Sequence, residues 1–162
     1  MTSAPKVLFV LGEGGHSAEL LRLVPELEVG CELVFVASAS DQMADRWVPE
    51  GARLLRIRRP RSKDASTLRA AVDTSIASLQ AALTVWRVQP LAVISSGPAI
   101  GVVVAGAAWV IGARVVFVET ISRVTSLSLT DRLMRRLADR YFVQWPALVE
   151  QVPGAEYRGR LL

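Results

Sequence analysis

The chain has 162 residues, 51% of them hydrophobic and 21% charged, a composition for one domain with a large core rather than for disorder or for two ordinary domains. A formal net charge of +4 gives a weak pull toward anionic surfaces, but aromatic residues at 6% argue against nucleic-acid binding through basic and stacking side chains. One cysteine, Cys31, excludes an internal disulfide and a multi-cysteine metal site and suits a reducing cytoplasm, and the opening MTSAPKVLFVLGEGG carries no export signal.

In chain order, Val7–Leu11 is a short apolar run of strand type, followed by Gly12-Glu13-Gly14-Gly15 and a helix for which Ser17 is the expected N-cap. Gly14 and Gly15 let backbone approach a ligand, and the N–H groups of the next turn suit an anion; a tight turn without ligand is the plainer alternative. The dinucleotide fingerprint is not met, because its third glycine would fall at Ser17 and Val36-Ala37-Ser38 lacks the acid that holds a ribose. A nicotinamide-dependent oxidoreductase is therefore disfavoured. His16, the only histidine, is either a general base at the mouth of this loop or a group that caps the helix or bonds a neighbouring loop.

Leu33–Ala37 and Leu54–Ile57 are the next strand runs. After them, RIRRPRSKDAS groups Arg56, Arg58, Arg59, Arg61 and Lys63, which form either a solvated loop or a surface for anionic lipid head groups. Thr67–Arg87 is the clearest helix, with Leu68, Val72, Ile76, Leu79, Leu83 and Trp86 at helical spacing, a stripe expected to be core; Trp86 is given no functional role. Leu91–Glu119 approaches the apolar length of a membrane span, but Ser95-Ser96-Gly97-Pro98 and Gly112-Ala113-Arg114 divide it into a buried β-α-β unit with strands at Leu91–Ser95 and Val115–Val118. SSGPAIG repeats the strand–turn–helix pattern of the first loop, either to offer N–H groups to a ligand or only to make the turn.

Glu119 ends the fifth strand, and Ser122, Arg123, Ser126 and Ser128 follow it. A carboxylate and a guanidinium there can hold sugar hydroxyls and phosphate oxygens, or can pair with each other and shape the loop. Tyr141–Val143 is the last strand run; Trp47 and Trp109 either add contact at a lipid surface or, the plainer reading, are buried in the core or an interface. Continuous apolar strands alternating with helices predict an α/β fold, a single doubly wound Rossmann-like domain (residues 1–162) with a parallel sheet and its ligand crevice at the carboxyl ends of the strands.

GEGGHSAELLRL, VISSGPAIGVVVA, VFVETISRVTSLSLTDRLM, DRYFVQWPAL and AEYRGRLL, in that order from about Lys6 to Leu162, resemble the oligosaccharide-biosynthesis family that includes the PssD-type exopolysaccharide glycosyltransferase subunits. The membrane-recruiting subunit of the eukaryotic two-part enzyme adding the second N-acetylglucosamine to dolichol diphosphate belongs to the same family. The resemblance implies the amino-terminal, acceptor-binding half of a GT-B glycosyltransferase made as a separate polypeptide. It aligns Gly14, Gly15 and His16 with the acceptor-side glycine loop, the histidine as candidate base, and Ser96, Gly97 and Pro98 with the second glycine turn. Glu119, Ser122 and Arg123 match the signature loop at the interdomain cleft, Glu119 being taken as catalytic beside His16, and EYRGRLL matches a segment that in the eukaryotic relative helps hold the catalytic partner. Two departures stand out. Glu13 stands where relatives often carry a small hydroxyl residue and would repel a diphosphate unless paired with a nearby Arg, and the amino-terminal anchor of the eukaryotic members is missing, so attachment is expected to be peripheral.

The function expected from this resemblance is that of the acceptor-binding, membrane-associated subunit of a two-component, inverting, UDP-sugar-dependent glycosyltransferase extending a polyprenyl-diphosphate-linked sugar. The alternative is a non-catalytic scaffold that recruits and activates the true transferase. UDP-sugar is expected as co-substrate with no tightly bound cofactor and no metal, and the partners are a donor-binding subunit, the lipid-linked acceptor and the inner face of the cytoplasmic membrane, not nucleic acid. Arg58, Arg59, Arg61 and Lys63 are the expected membrane-surface residues.

Overall fold

The computed structural model describes residues 4–12, 14–27, 30–60, 67–97, 99–124 and 127–161. Within them, Lys6–Val10 (β1), Glu32–Ser38 (β2), Arg53–Ile57 (β3), Ala92–Ser95 (β4), Arg114–Val118 (β5), Arg140–Val143 (β6) and Ala155–Tyr157 (β7) form one sheet of seven strands in the order β3-β2-β1-β4-β5-β6-β7. Every pairing is parallel, with Phe9 opposite Phe35 and Ile94, and Val116 opposite Ile94 and Arg140. Six of the strands lie within a residue of their expected bounds. The seventh, β7, was not anticipated: three residues are too few for a periodic signal, and only the edge of β6 makes them a strand.

The helices are Gly15–Leu21 (α1), Ala44–Trp47 (α2), Thr67–Val88 (α3), Ala99–Val110 (α4), Leu129–Leu137 (α5) and Pro146–Gln151 (α6). The larger core lies on the face carrying α3, α4, α5 and α6, where Leu8, Val34, Val93, Val115 and Phe117 meet Val85, Val104, Ala108, Met134 and Leu148. On the other face α1 and α2 pack on a smaller cluster around Phe9, Phe35 and Leu20, with Leu54 of β3 and Ile94 of β4 at its borders. The apolar stretch from Leu91 to Glu119 is the expected β4–α4–β5 unit, and among the described residues no helix is long and apolar enough to cross a membrane.

Two local expectations are corrected. Helix α1 starts at Gly15 with Gly14 as N-cap, so Ser17 lies inside the first turn, where its hydroxyl donates to the Gly12 carbonyl. Gly14 has φ 64° and ψ −127°, a conformation open only to glycine, and this turns the chain sharply from strand to helix.

The stripe on α3 is reversed. Asp73, Ala77, Ala81, Val85 and Val88 face the core, whereas Leu68 (77% exposed), Leu79 (62%) and Trp86 (65%) face outward with Val72 and Leu83. Both sets keep helical spacing. The smaller residues face inward against α4, itself rich in Gly, Ala and Val on its buried side, a pairing that allows close approach of the two backbones.

Candidate active site

Strand order reverses direction between β1 and β4, so the loops leaving these two neighbours part and open a crevice at their carboxyl ends. His16, from the first loop, and Ser96, from the second, meet across it. The Ser96 hydroxyl donates to the His16 carbonyl at 2.9 Å, and His16 Nδ1 lies 3.1 Å from the Ser96 carbonyl. A carbonyl only accepts, so Nδ1 carries the hydrogen and, in the neutral ring, Nε2 keeps its lone pair.

Gly97 sits against this ring. Its φ of +110° is strained for any side chain, and a Cβ there would lie 3.6 Å from His16 Nδ1. Pro98, Glu13, Arg61, Lys63 and Ser126 lie outside the described residues.

A cavity of about 240 Å³ adjoins the ring, lined by His16, Gly97, Ala99, Thr120, Arg123, Ser128, Thr130 and Asp131. Arg123 presents a half-exposed guanidinium, Nε 3.8 Å from Asp131 Oδ2, and Asp131 is buried in a capping box with Ser128 at the start of α5. The cavity thus holds one cation beside one anion, with hydroxyls around them, a lining suited to a polar ligand such as a sugar. Ser122 is exposed beside it, its hydroxyl 3.2 Å from that of Thr120.

Glu119 does not reach this cavity as expected. It is 1% exposed, with one carboxylate oxygen accepting the Tyr141 hydroxyl at 2.7 Å and the other the Thr120 N–H at 3.0 Å. Burial pushes its pKa up to about 7, against the opposing effect of the Tyr141 hydrogen bond, and the same burial, with the Glu119 charge, raises that of Tyr141. Nor does Glu119 pair with Arg123, whose ionic partner is Asp131.

Two residues that hold this site together were not singled out from the sequence. Glu19, one turn after His16 on α1, accepts from the Thr120 hydroxyl (3.0 Å), the Ile121 N–H (3.0 Å) and Gln144 Nε2 (2.9 Å). Gln144, 2% exposed, also donates to the Glu119 carbonyl at 3.0 Å and accepts the Leu161 N–H at 2.7 Å. One carboxylate therefore ties the helix bearing His16 to the loop after β5, and one amide ties that loop to the carboxyl-terminal tail. The partners of Glu19 lie more than a hundred residues away in the chain, and those of the Gln144 side chain lie 17 to 125 away, so only folding reveals them.

Of the basic residues, Arg58 is spent partly on Asp73, at 2.8 Å, and Arg59 borders a second depression with Gly14 and residues 40–43, on the crevice side of the sheet. Along the uncovered half of the sheet, an apolar groove of about 330 Å³ runs between Ile94, Val116 and Phe142 and the tail, where Arg160 stacks on Trp145 at 3.9 Å.

This architecture is that of one half of a GT-B glycosyltransferase. The crystal structure of MurG from Acinetobacter baumannii superposes with a TM-score of 0.74 at 17% identity, over 88% of this chain and 42% of MurG. The UDP-GlcNAc 2-epimerase of Neisseria meningitidis, solved with UDP-GlcNAc, superposes with a TM-score of 0.70 at 16% identity, over 96% of this chain and 47% of the other. This chain thus spans under half the length of these structures.

The family model described as "Oligosaccharide biosynthesis protein Alg14 like" matches residues 7–161, and the chain belongs to that family. Among its relatives, the UDP-N-acetylglucosamine transferase subunit ALG14 of Yarrowia lipolytica is 29% identical over 178 residues, 99% of this chain and 82% of that protein. The mouse (Mus musculus) subunit of the same name is 31% identical over 180 residues, 97% of this chain and 83% of that protein.

Proposed function

We propose that this chain is the acceptor-binding, membrane-associated subunit of a two-component, inverting glycosyltransferase that uses a UDP-sugar to extend a polyprenyl-diphosphate-linked sugar in polysaccharide synthesis, as in the PssD-type systems. The observation that carries this reading is the His16–Ser96 pair, which leaves Nε2 as an acceptor beside a polar cavity at the switch point of the sheet. A hydroxyl of the acceptor sugar gives its proton to Nε2 as its oxygen bonds to the anomeric carbon of the donor. The bond from that carbon to the UDP oxygen breaks on the opposite face, and UDP leaves with the electron pair. Nδ1–H, held by the Ser96 carbonyl, keeps the ring in the tautomer that this step needs, and Arg123 is the cation available to an anionic substrate group.

The donor site belongs to a second polypeptide. Relatives named as transferase subunits support that division. The uncovered sheet face beside the tail is the surface on which the partner would seat, and peripheral attachment to the inner face of the cytoplasmic membrane brings the acceptor within reach.

A scaffold role has its own support, since the His16–Ser96 bonds also serve simply to close the crevice. Reconstitution with the donor-binding subunit and UDP-GlcNAc separates the two readings. His16→Ala should abolish transfer to a polyprenyl-diphosphate-linked sugar while the two chains still co-purify; undiminished turnover assigns this chain the scaffold role.

A further inference from the structure

The outward face of α3 carries an apolar ridge. At about 100° per residue, Leu68, Val72, Leu79, Leu83 and Trp86 fall within an arc of about 60°, opposite the buried face of the helix. Each is at least 43% exposed, and at about 1.5 Å per residue the ridge from Leu68 to Trp86 extends about 27 Å. Leu83 and Trp86 continue into a groove of about 350 Å³ closed on its far side by Ala107, Val110 and Ile111 of α4 and the turn after it, and Trp109 is 64% exposed on the same helix end. A contiguous apolar surface of this kind marks an interaction site.

Charge identifies what it meets. The one carboxylate on either helix, Asp73, is buried on the opposite side of α3 and engaged by Arg58 at 2.8 Å. The remaining charged residues of α3 are Arg69 and Arg87; α4 has none. Both arginines project at about 100° on the same wheel, along one flank of the ridge. Apolar side chains with tryptophan, bordered by cations and with no exposed carboxylate on either helix, match the interface of a bilayer with anionic head groups.

We propose that α3, with the end of α4, lies on the surface of an anionic lipid bilayer, burying Leu68, Val72, Leu79, Leu83, Trp86 and Val110 in the head-group region. The docking face is then this ridge rather than the basic loop after β3. Because α4 begins at Ala99, which lines the cavity by His16, a bilayer along these helices reaches the mouth of the crevice; that consequence, unlike the docking itself, rests on the function proposed above.

The test is flotation of the full chain, without partner or substrate, with vesicles of phosphatidylcholine alone or mixed with phosphatidylglycerol. The wild type should float with the mixed vesicles, and the Leu83→Ser/Trp86→Ser double variant should bind at least about tenfold more weakly with an unchanged Tm, since both side chains are exposed in the fold. Wild-type binding to mixed vesicles should weaken as salt rises, Arg69→Gln/Arg87→Gln should bind them more weakly and respond less to salt, and Trp47→Ser, off the ridge, should float like the wild type. Equal flotation of wild type and the ridge variant overturns the proposal. So does a dimer, seen by light scattering, that the ridge variant abolishes while no form binds vesicles, for the face then belongs to a second copy. Neither result bears on His16, which is tested by turnover.

Discussion

His16 gains its tautomer from a carbonyl 80 residues away, and Glu119 loses its expected exposure to a tyrosine contributed by β6. The second change has a measurable sign. Glu119 takes up its proton more tightly when folded, with a pKa near 7 against 4.5 when unfolded, so the unfolded chain is the first to release it as pH rises. Its contribution to stability is therefore complete below pH 4.5, falls between 4.5 and about 7, and levels off above. The loss amounts to at most about 3 kcal/mol. Urea unfolding of Glu119→Gln across this range should lack that fall, because the amide has no proton to release and still meets the Tyr141 hydroxyl. An unaltered pH slope in the variant would assign the titration elsewhere.

At the scale of elements, α1 is short and, among the described residues, uncapped by any side chain, and it keeps its place through Glu19. Glu19→Ala removes the acceptor for three donors and should cost about 2–4 kcal/mol in denaturant unfolding. Glu19→Gln keeps an oxygen for the Ile121 and Gln144 N–H groups, and its amide can donate to the Thr120 hydroxyl, so stability and the protection of the 119–123 amides from hydrogen exchange should be largely retained. Equal loss in both variants would mean that the charge, not the hydrogen bonding, holds the loop.

Strands were legible at this scale because residues buried on both faces of a parallel sheet read as continuous apolar runs, and β4–α4–β5 was separable from a membrane span by its glycine and proline punctuation. The inward face of α3 was not legible. Periodicity gives the spacing of a stripe but not its direction, and the Ala and Val line at 77, 81, 85 and 88 is as periodic as the Leu and Trp line that faces solvent.

For the molecule as a whole, the sheet has helices on both faces over β1 and β2, whereas over β4 to β6 on the α1 side the tail, with Leu23 and Leu27, borders the groove lined by Ile94, Val116 and Phe142. The tail is tied in by the Leu161–Gln144 hydrogen bond and the Arg160–Trp145 stack. Truncation after Tyr157 leaves every strand and helix intact, so Tm should fall by only a few degrees, while co-purification with the proposed donor-binding subunit should be lost. Undiminished co-purification would place the partner elsewhere.

The sequence by itself determined the strand–helix alternation, the glycine turns after β1 and β4, the crevice loops, and the order of motifs that marks the family. These are set by local backbone demands and by short-range periodicity. Tertiary structure alone decided that Ser96 selects the His16 tautomer, that Glu19 and Gln144 lock the loop after β5, that Glu119 is buried, and which side of α3 meets water. Each of these depends on groups brought together from distant parts of the chain, and their pairing energies leave no trace in the spacing of the residues along it.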